Sequence, residues 1–185
     1  MFVSGGAQGA DFAWANRVAI DGYSIDVMSF DGHRRCQGPK DRIIMLTKEQ
    51  LKEAQPWINK AAKSKGYTSS SNPFICRDWW IVREADAVVA VGQREGDFVE
   101  GGTGWTWQMH LEKDPVFLMW IFDQNVEKWF SWVGEWVECQ GPPSLETLGR
   151  VALIGSRKLT AAGRKAIAQV KLAPLGARPP PAHTE

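Results

Sequence analysis

The chain opens Met1-Phe2-Val3-Ser4-Gly5-Gly6-Ala7-Gln8-Gly9-Ala10-Asp11, and the order of residue types in this stretch decides the fold class. Phe2 and Val3 form a short apolar strand, Ser4-Gly5-Gly6 makes a turn, and Asp11 to Ile20 carries a helical pattern. Strand, glycine turn and helix in that order are a βα unit. Glycines at such a turn let backbone N–H groups approach a ligand, and the following helix N-terminus favours an anion. The turn therefore points to a phosphate-bearing or otherwise anionic small molecule. Because the first strand is so short, the sheet's opening unit is expected elsewhere in the chain.

The same grammar recurs twice. Asp86-Ala87-Val88-Val89-Ala90-Val91-Gly92 is a continuous apolar run of strand length, as suits a central parallel strand covered on both faces. After a loop from Gln93 to Glu100 come Gly101-Gly102-Thr103-Gly104 and a helix through Leu111. Late in the chain, Val151-Ala152-Leu153-Ile154 runs into Gly155-Ser156-Arg157, and Thr160 caps a helix with Ala162, Ile167 and Val170 on its apolar positions. One glycine turn alone is a weak signal. Three after parallel strands are a strong one, because ligands of open α/β sheets bind outside the strands' carboxyl ends.

Between these units, Ser24 to Phe30 alternates polar and apolar residues and reads as a strand, and Asp31 to Asp41 as a loop. Thr47-Lys48-Glu49-Gln50 is a capping box that opens a helix, Pro56 starts a second helical piece and Gly66 ends it. Thr68 to Pro73 reads as a polar loop, and Asp78 to Ala85 as a short helix capped by Asp78. Pro115 to Phe122 is a second buried strand. Lys128 to Trp132 and Glu135 to Glu138 form a β-hairpin around Val133-Gly134. The expected fold is α/β: a Rossmann-like parallel sheet flanked by helices, with a small β-hairpin appendage. Residues 1–172 make a single domain, and the proline-rich stretch from 173 to 185 a flexible tail.

Composition narrows the partners. With 22 basic and 21 acidic side chains the net charge is +1, which provides no general field for a nucleic-acid backbone. His33-Arg34-Arg35 is a local basic run that reads as a solvated loop. Cys36, Cys76 and Cys139 are widely spaced, fit neither a disulfide framework nor a zinc site, and suit a reducing cytoplasm. His33, His110 and His183 have no metal-ligand spacing, and no apolar run has membrane-spanning length. Ten tryptophans, concentrated between Trp79 and Trp136, read as core packing or the contact surface of a homodimer or higher homo-oligomer.

Taken together, these residues resemble the SLOG superfamily. Its Rossmann-like members include the Lonely Guy phosphoribohydrolases, the DNA processing protein A family and proteins once labelled lysine decarboxylases. Ser4 to Asp11 looks like the family's S-G-G-A-x-G-A-D turn, Glu100 to Gly104 like its second glycine turn, and Val151 to Arg157 like its first strand, V-x-x-x-G-S-R. The likeness covers residues 1–12, 75–122 and 150–170. In the family the G-S-R strand comes first, whereas here it comes last, so the resemblance implies a circular permutation. The chain resembles a group of short phage and bacterial proteins with a G-G-T-G-W-x-x-Q-M turn.

The resemblance also implies site residues. In Lonely Guy enzymes the second turn reads G-G-x-G-T-x-x-E, and its glutamate is catalytic in releasing a base from a nucleoside monophosphate. Here Trp105 takes the threonine's place and Gln108 the glutamate's. Gln108 exchanges hydrogen bonds but is no acid or base at neutral pH, which argues against that activity. Glu100 and Asp11 are candidate substitutes, although helix capping or solvation is the simpler role for both. Arg77 takes the place of an arginine that faces the ligand phosphate in related enzymes, and Arg157 resembles it. The expected ligand set is Ser4, Gly5, Gly6, Gly9, Arg77, Gly101, Gly102, Thr103, Gly104, Gly155, Ser156 and Arg157, with Asp123 at a strand end facing the same crevice. The leading expectation is a module that binds a nucleotide or nucleotide-derived phosphate, with no metal and no further cofactor. The alternatives are a nucleotide N-glycosidase and a DNA-binding protein, the last disfavoured by the charge balance.

Overall fold

The computed structural model describes residues 1–114 and 118–172. Its strands are β1 (Phe2–Ser4), β2 (Ile25–Phe30), β3 (Ile43–Leu46), β4 (Ala87–Gly92), β5 (Arg94–Glu95), β6 (Phe98–Val99), β7 (Leu118–Asp123), β8 (Lys128–Trp132), β9 (Trp136–Cys139) and β10 (Val151–Gly155). Its α-helices are α1 (Ala10–Ile20), α2 (Lys48–Glu53), α3 (Gln55–Lys65), α4 (Pro73–Val82), α5 (Gly101–Lys113) and α6 (Ala161–Gln169). The expected tail from 173 to 185 and the first three residues of the strand expected from Pro115 lie outside the described residues.

Eight strands form one sheet in the order β3-β2-β1-β10-β4-β7-β8-β9. The pairings from β3 to β7 are parallel, and those of β7 with β8 and β8 with β9 are antiparallel. The architecture is a Rossmann-like α/β sandwich. The hairpin is fused to the main sheet as its edge rather than standing apart from it.

Every residue of β4 is buried, as are Val151 to Ile154 of β10. Alternate residues feed opposite cores. Val88, Ala90, Ala152 and Ile154 pack with Ile58, Trp79, Ile81 and Met109 of α3, α4 and α5. Val89, Val91, Val151 and Leu153 pack with Trp14, Val18, Ala166 and Ile167 of α1 and α6. This is the signature of parallel strands covered on both faces. β10 pairs with β1 through Phe2↔Val151 and with β4 through Leu153↔Val89. The last unit of the described residues thus stands at the centre of the sheet, between β1 and β4.

Local signals explain several boundaries. Thr47 accepts from Gln50 N while its own N–H donates to the Gln50 side chain, so the capping box is complete. Gly66 closes α3 at φ 68°, and the Thr160 hydroxyl caps α6 through Gly163 N.

Two local expectations are corrected, and one strand stands where none was expected. α4 begins at Pro73, not Asp78: Asn72 is the cap, its side chain accepting from Phe74 N, and Pro73 occupies the first turn where its missing N–H costs nothing. β3 fills residues 43–46, between the expected loop and the capping box, where no element was expected. The loop after β4 holds the small antiparallel pair β5–β6.

The tryptophans are mainly packing. Trp57 stacks on Trp79, Trp107 meets Trp132 and Trp136, and the buried Trp14 donates to Ile154 O. No helix among the described residues is long and apolar enough to cross a membrane.

Because β10 separates β1 from β4, a chain ending at residue 149 loses the centre of its sheet. Circular dichroism of that truncated chain is expected to show no cooperative melting. In the full chain, Leu153→Ala is expected to cost about 2–5 kcal/mol in urea unfolding. Cooperative melting of the truncated chain at the full chain's temperature would contradict this topology.

Candidate functional site

From β1 the chain builds outward through β2 to β3, then crosses to build β4 and β7 on the other side, with β10 inserted at the divide. Adjacent connections that leave in opposite directions open a crevice at the strands' carboxyl ends. A cleft of about 470 Å³ lies there. The turn after β1 contributes Ala7 and Asp11, the turn after β10 contributes Gly155 to Lys158, and α5 contributes Gly101, Gly102, Thr103, Trp105 and Thr106. α4 closes one wall with Phe74, Arg77, Asp78 and Ile81, whose i, i+3, i+4, i+7 spacing puts them on one helical face.

Two glycines hold this geometry by having no side chain. A Cβ on Gly5 would stand 1.2 Å from Arg77 Nη1, so the guanidinium lies where any other residue's side chain would be. A Cβ on Gly155 would stand 2.2 Å from Val91 O and 2.5 Å from the Ala10 methyl, so the β10 turn packs directly on β4 and α1.

Asp11 ties the turns together. Its Oδ1 accepts from Gly155 N at 3.0 Å and its Oδ2 from Ala7 N at 3.3 Å. Arg77 Nη1 lies 3.7 Å from Asp11 Oδ2, and Arg77 Nε lies 3.4 Å from Asp78 Oδ1. These are ion pairs too long to be good hydrogen bonds. Arg77, 4% exposed, keeps both Nε and Nη1 buried without a hydrogen-bond partner.

One buried cation thus faces two buried carboxyls. Burial pushes the Asp11 carboxyl up against the opposing pull of Arg77 and the two backbone donors. Burial likewise raises Asp78, to about 7; the Asp11 charge adds to the rise, while Arg77, the Thr106 hydroxyl and Arg157 oppose it. Asp78 is therefore raised into the neutral range and is an acid–base group on the cleft wall.

The structure sorts the expected ligand residues. Arg77, Gly101, Gly102, Thr103, Gly155, Ser156 and Arg157 line the cleft. Gly5 lies behind Arg77, Gly6 faces Val27 and Cys36, Gly9 abuts the carbonyls of Ser156 and Arg157, and Gly104 packs on Val99 O, none of them in the lining. Ser4 is fully buried beneath its turn. The Ser156 hydroxyl donates to Lys158 O and accepts from Gln124 Nε2, so it clasps its own loop. Arg157 lies over the Phe74 ring.

Glu100 is the N-cap residue of α5 and lines the cleft, but its side chain makes no capping bond. Gln108 is buried away from the cleft and donates to Glu112. Asp78, expected as the cap of α4, is instead a buried residue in mid-helix that lines the cleft. Asp123 does not face the crevice: it is buried, paired with Arg94 at 3.3 Å, and accepts from Asn125 N.

Comparison with known proteins finds no match: no family model, no curated protein and no solved structure aligns with this chain.

A carboxyl raised in the folded state binds its proton there in preference to the unfolded chain. Its stabilisation is complete below the unfolded value near 4 and is lost as pH rises through about 7. His33 and His110, each lowered to about 4 chiefly by burial, contribute the opposite slope below their ordinary range. Comparing Asp78→Asn with the wild type isolates the carboxyl. The variant's stability relative to wild type is expected to rise between about pH 4.5 and 7 and then level off, as measured by urea unfolding. A pH-independent difference would contradict a proton on Asp78.

Proposed function

We propose that the chain binds a nucleotide or nucleotide-derived phosphate ligand in the cleft at the carboxyl ends of β1, β10 and β4. The observation that carries this reading is Arg77: a nearly buried guanidinium in the cleft lining, ion-paired with Asp11 and Asp78 yet without a hydrogen-bond partner at Nε or Nη1. Arginine's planar fork suits a phosphate, and helix N-termini at the same edge add partial positive charge. Phe74 and Trp105 supply apolar ring surface for a base in the same lining. The likeness of the three glycine turns to SLOG proteins supports the same ligand class, and in that reading the central position of β10 makes the chain a circular permutant.

One observation favours a second reading, nucleotide N-glycosidase activity. Asp78, raised to about 7 on the cleft wall, is suited to hand its proton to a departing base while water adds to the sugar carbon. It fits that role better than Glu100, the substitute sought from sequence. Release of free base from nucleoside monophosphates, abolished in Asp78→Asn, would establish it; no release from any common monophosphate would leave binding as the function.

Gly102 provides a clean test of the binding reading. A Cβ there meets only Asp78 Oδ2, at 3.8 Å, so a larger side chain would enter the cleft without disturbing its walls. Gly102→Val is expected to melt within a few degrees of wild type. Wild type should be stabilised by millimolar adenine or guanine nucleotides, by about 1–3 kcal/mol if the ligand is at 10–100 times Kd, and the variant should show no such shift. Equal shifts in both proteins would place the ligand elsewhere.

A further inference from the structure

A second cavity, of about 260 Å³, adjoins the main cleft, and Ala7, Phe74 and Arg157 line both. Its outer wall is Gly32, His33, Arg34 and Arg35, from the segment that leaves the carboxyl end of β2. That segment is held in place. Gln37 N donates to Gly6 O at 2.8 Å, which docks it on the β1 turn. His33 stacks on Phe30 with ring centroids 5.4 Å apart, meets the edge of Phe74 at 5.0 Å, and pairs through Nδ1 with the Ser29 hydroxyl at 3.2 Å.

The charge is concentrated and unbalanced. Arg17, Arg42, Arg77, Arg83, Arg94 and Arg150 each have a carboxylate within ion-pair distance. Among the described residues, the arginines with none are Arg34, Arg35, Arg157 and Arg164, and all but Arg164 line this one cavity. Asp31, at the start of the same segment, pairs with none of them. Burial, then the charges of Arg77 and Arg157, hold the His33 imidazole down at about 4, so it stands neutral beside them. Three like charges brought together by a docked segment repel one another unless an anion joins them.

We infer that the second cavity is a subsite for a second phosphoryl group, so that the ligand is a nucleotide with two or more phosphoryl groups rather than a nucleoside monophosphate. This rests on the reading of the main cleft as a nucleotide site. The first phosphoryl group lies toward Arg77, and the second between Arg157 and the Arg34-Arg35 pair.

The test is calorimetric titration of the full chain with adenosine monophosphate, adenosine 3′,5′-bisphosphate and ADP-ribose, repeated with the double variant Arg34→Ala/Arg35→Ala. Both arginines are exposed, so the variant keeps the fold. Wild type is expected to bind at least one of the two-phosphoryl probes about tenfold or more tighter than the monophosphate. In the variant that preference should shrink to about twofold or less, with monophosphate affinity unchanged. Equal wild-type affinity for all three probes, or a variant that weakens all three equally, would overturn the subsite and leave the main-cleft reading standing. No binding of any probe by wild type would overturn the nucleotide reading itself. A single-stranded oligonucleotide that displaces the small probes at equal concentration, and fails to do so in the variant, would overturn the assignment to a small molecule.

Discussion

The carboxylate of Asp11 is the constraint around which the site is built. It takes a backbone N–H from Ala7 in the turn after β1 and another from Gly155 at the end of β10, 144 residues further along the chain than Asp11 itself. It also draws Arg77 across the space left by Gly5. Hydrogen bonds to an ionised carboxylate are among the stronger polar contacts in a protein, and these are largely shielded from solvent. Without Asp11 ionised, Arg77 would be a buried cation with only Asp78 for balance. With both carboxyls ionised, the three groups would carry a net negative charge in a poorly solvated place. Burial and the Asp11 charge raise Asp78 to about 7, which eases that conflict near neutral pH and leaves a titratable group in the cleft lining.

This electrostatic arrangement depends on topology. Only because β10 inserts between β1 and β4 do three turns converge on one edge, and only because α4 lies across that edge do Phe74, Arg77 and Asp78 face them. The small volumes of Gly5 and Gly155 are the steric counterpart of the same design, one admitting the guanidinium and the other letting the β10 turn seat against β4. The segment between β2 and β3 adds a basic margin on the same edge, so charge and shape extend the cleft in one direction.

Much of this was legible in the residues. Each glycine turn followed a strand and led to a helix, and the unbroken apolarity of β4 and β10 marked strands covered on both faces. Thr47, Gly66 and Thr160 gave true helix limits because their caps are local. What escaped was decided by tertiary contacts. Ile43-Ile44-Met45-Leu46 is a strand only because β2 offers it an edge, and Ile44 and Met45 remain exposed, so no alternation marked it. Asn72-Pro73 was a legible start for α4, masked by the polar run before it. Recognising it would have set Phe74, Arg77, Asp78 and Ile81 on one face and brought Asp78 into the site. The loop clasp made by Ser156 and the pairing of Asp123 with Arg94 depend on side chains far apart in the chain, and nothing in their local sequence announced them.

The central claim is that the edge formed by β1, β10 and β4 receives a phosphorylated nucleotide. The most direct measurement is a set of ¹H–¹⁵N correlation spectra of the full chain during titration with ADP-ribose. The account predicts saturable shifts concentrated at the amides of Ala7, Gly101 to Thr103 and Gly155 to Arg157. Shifts confined to the β8–β9 edge, or no saturable shift at those turns, would contradict it.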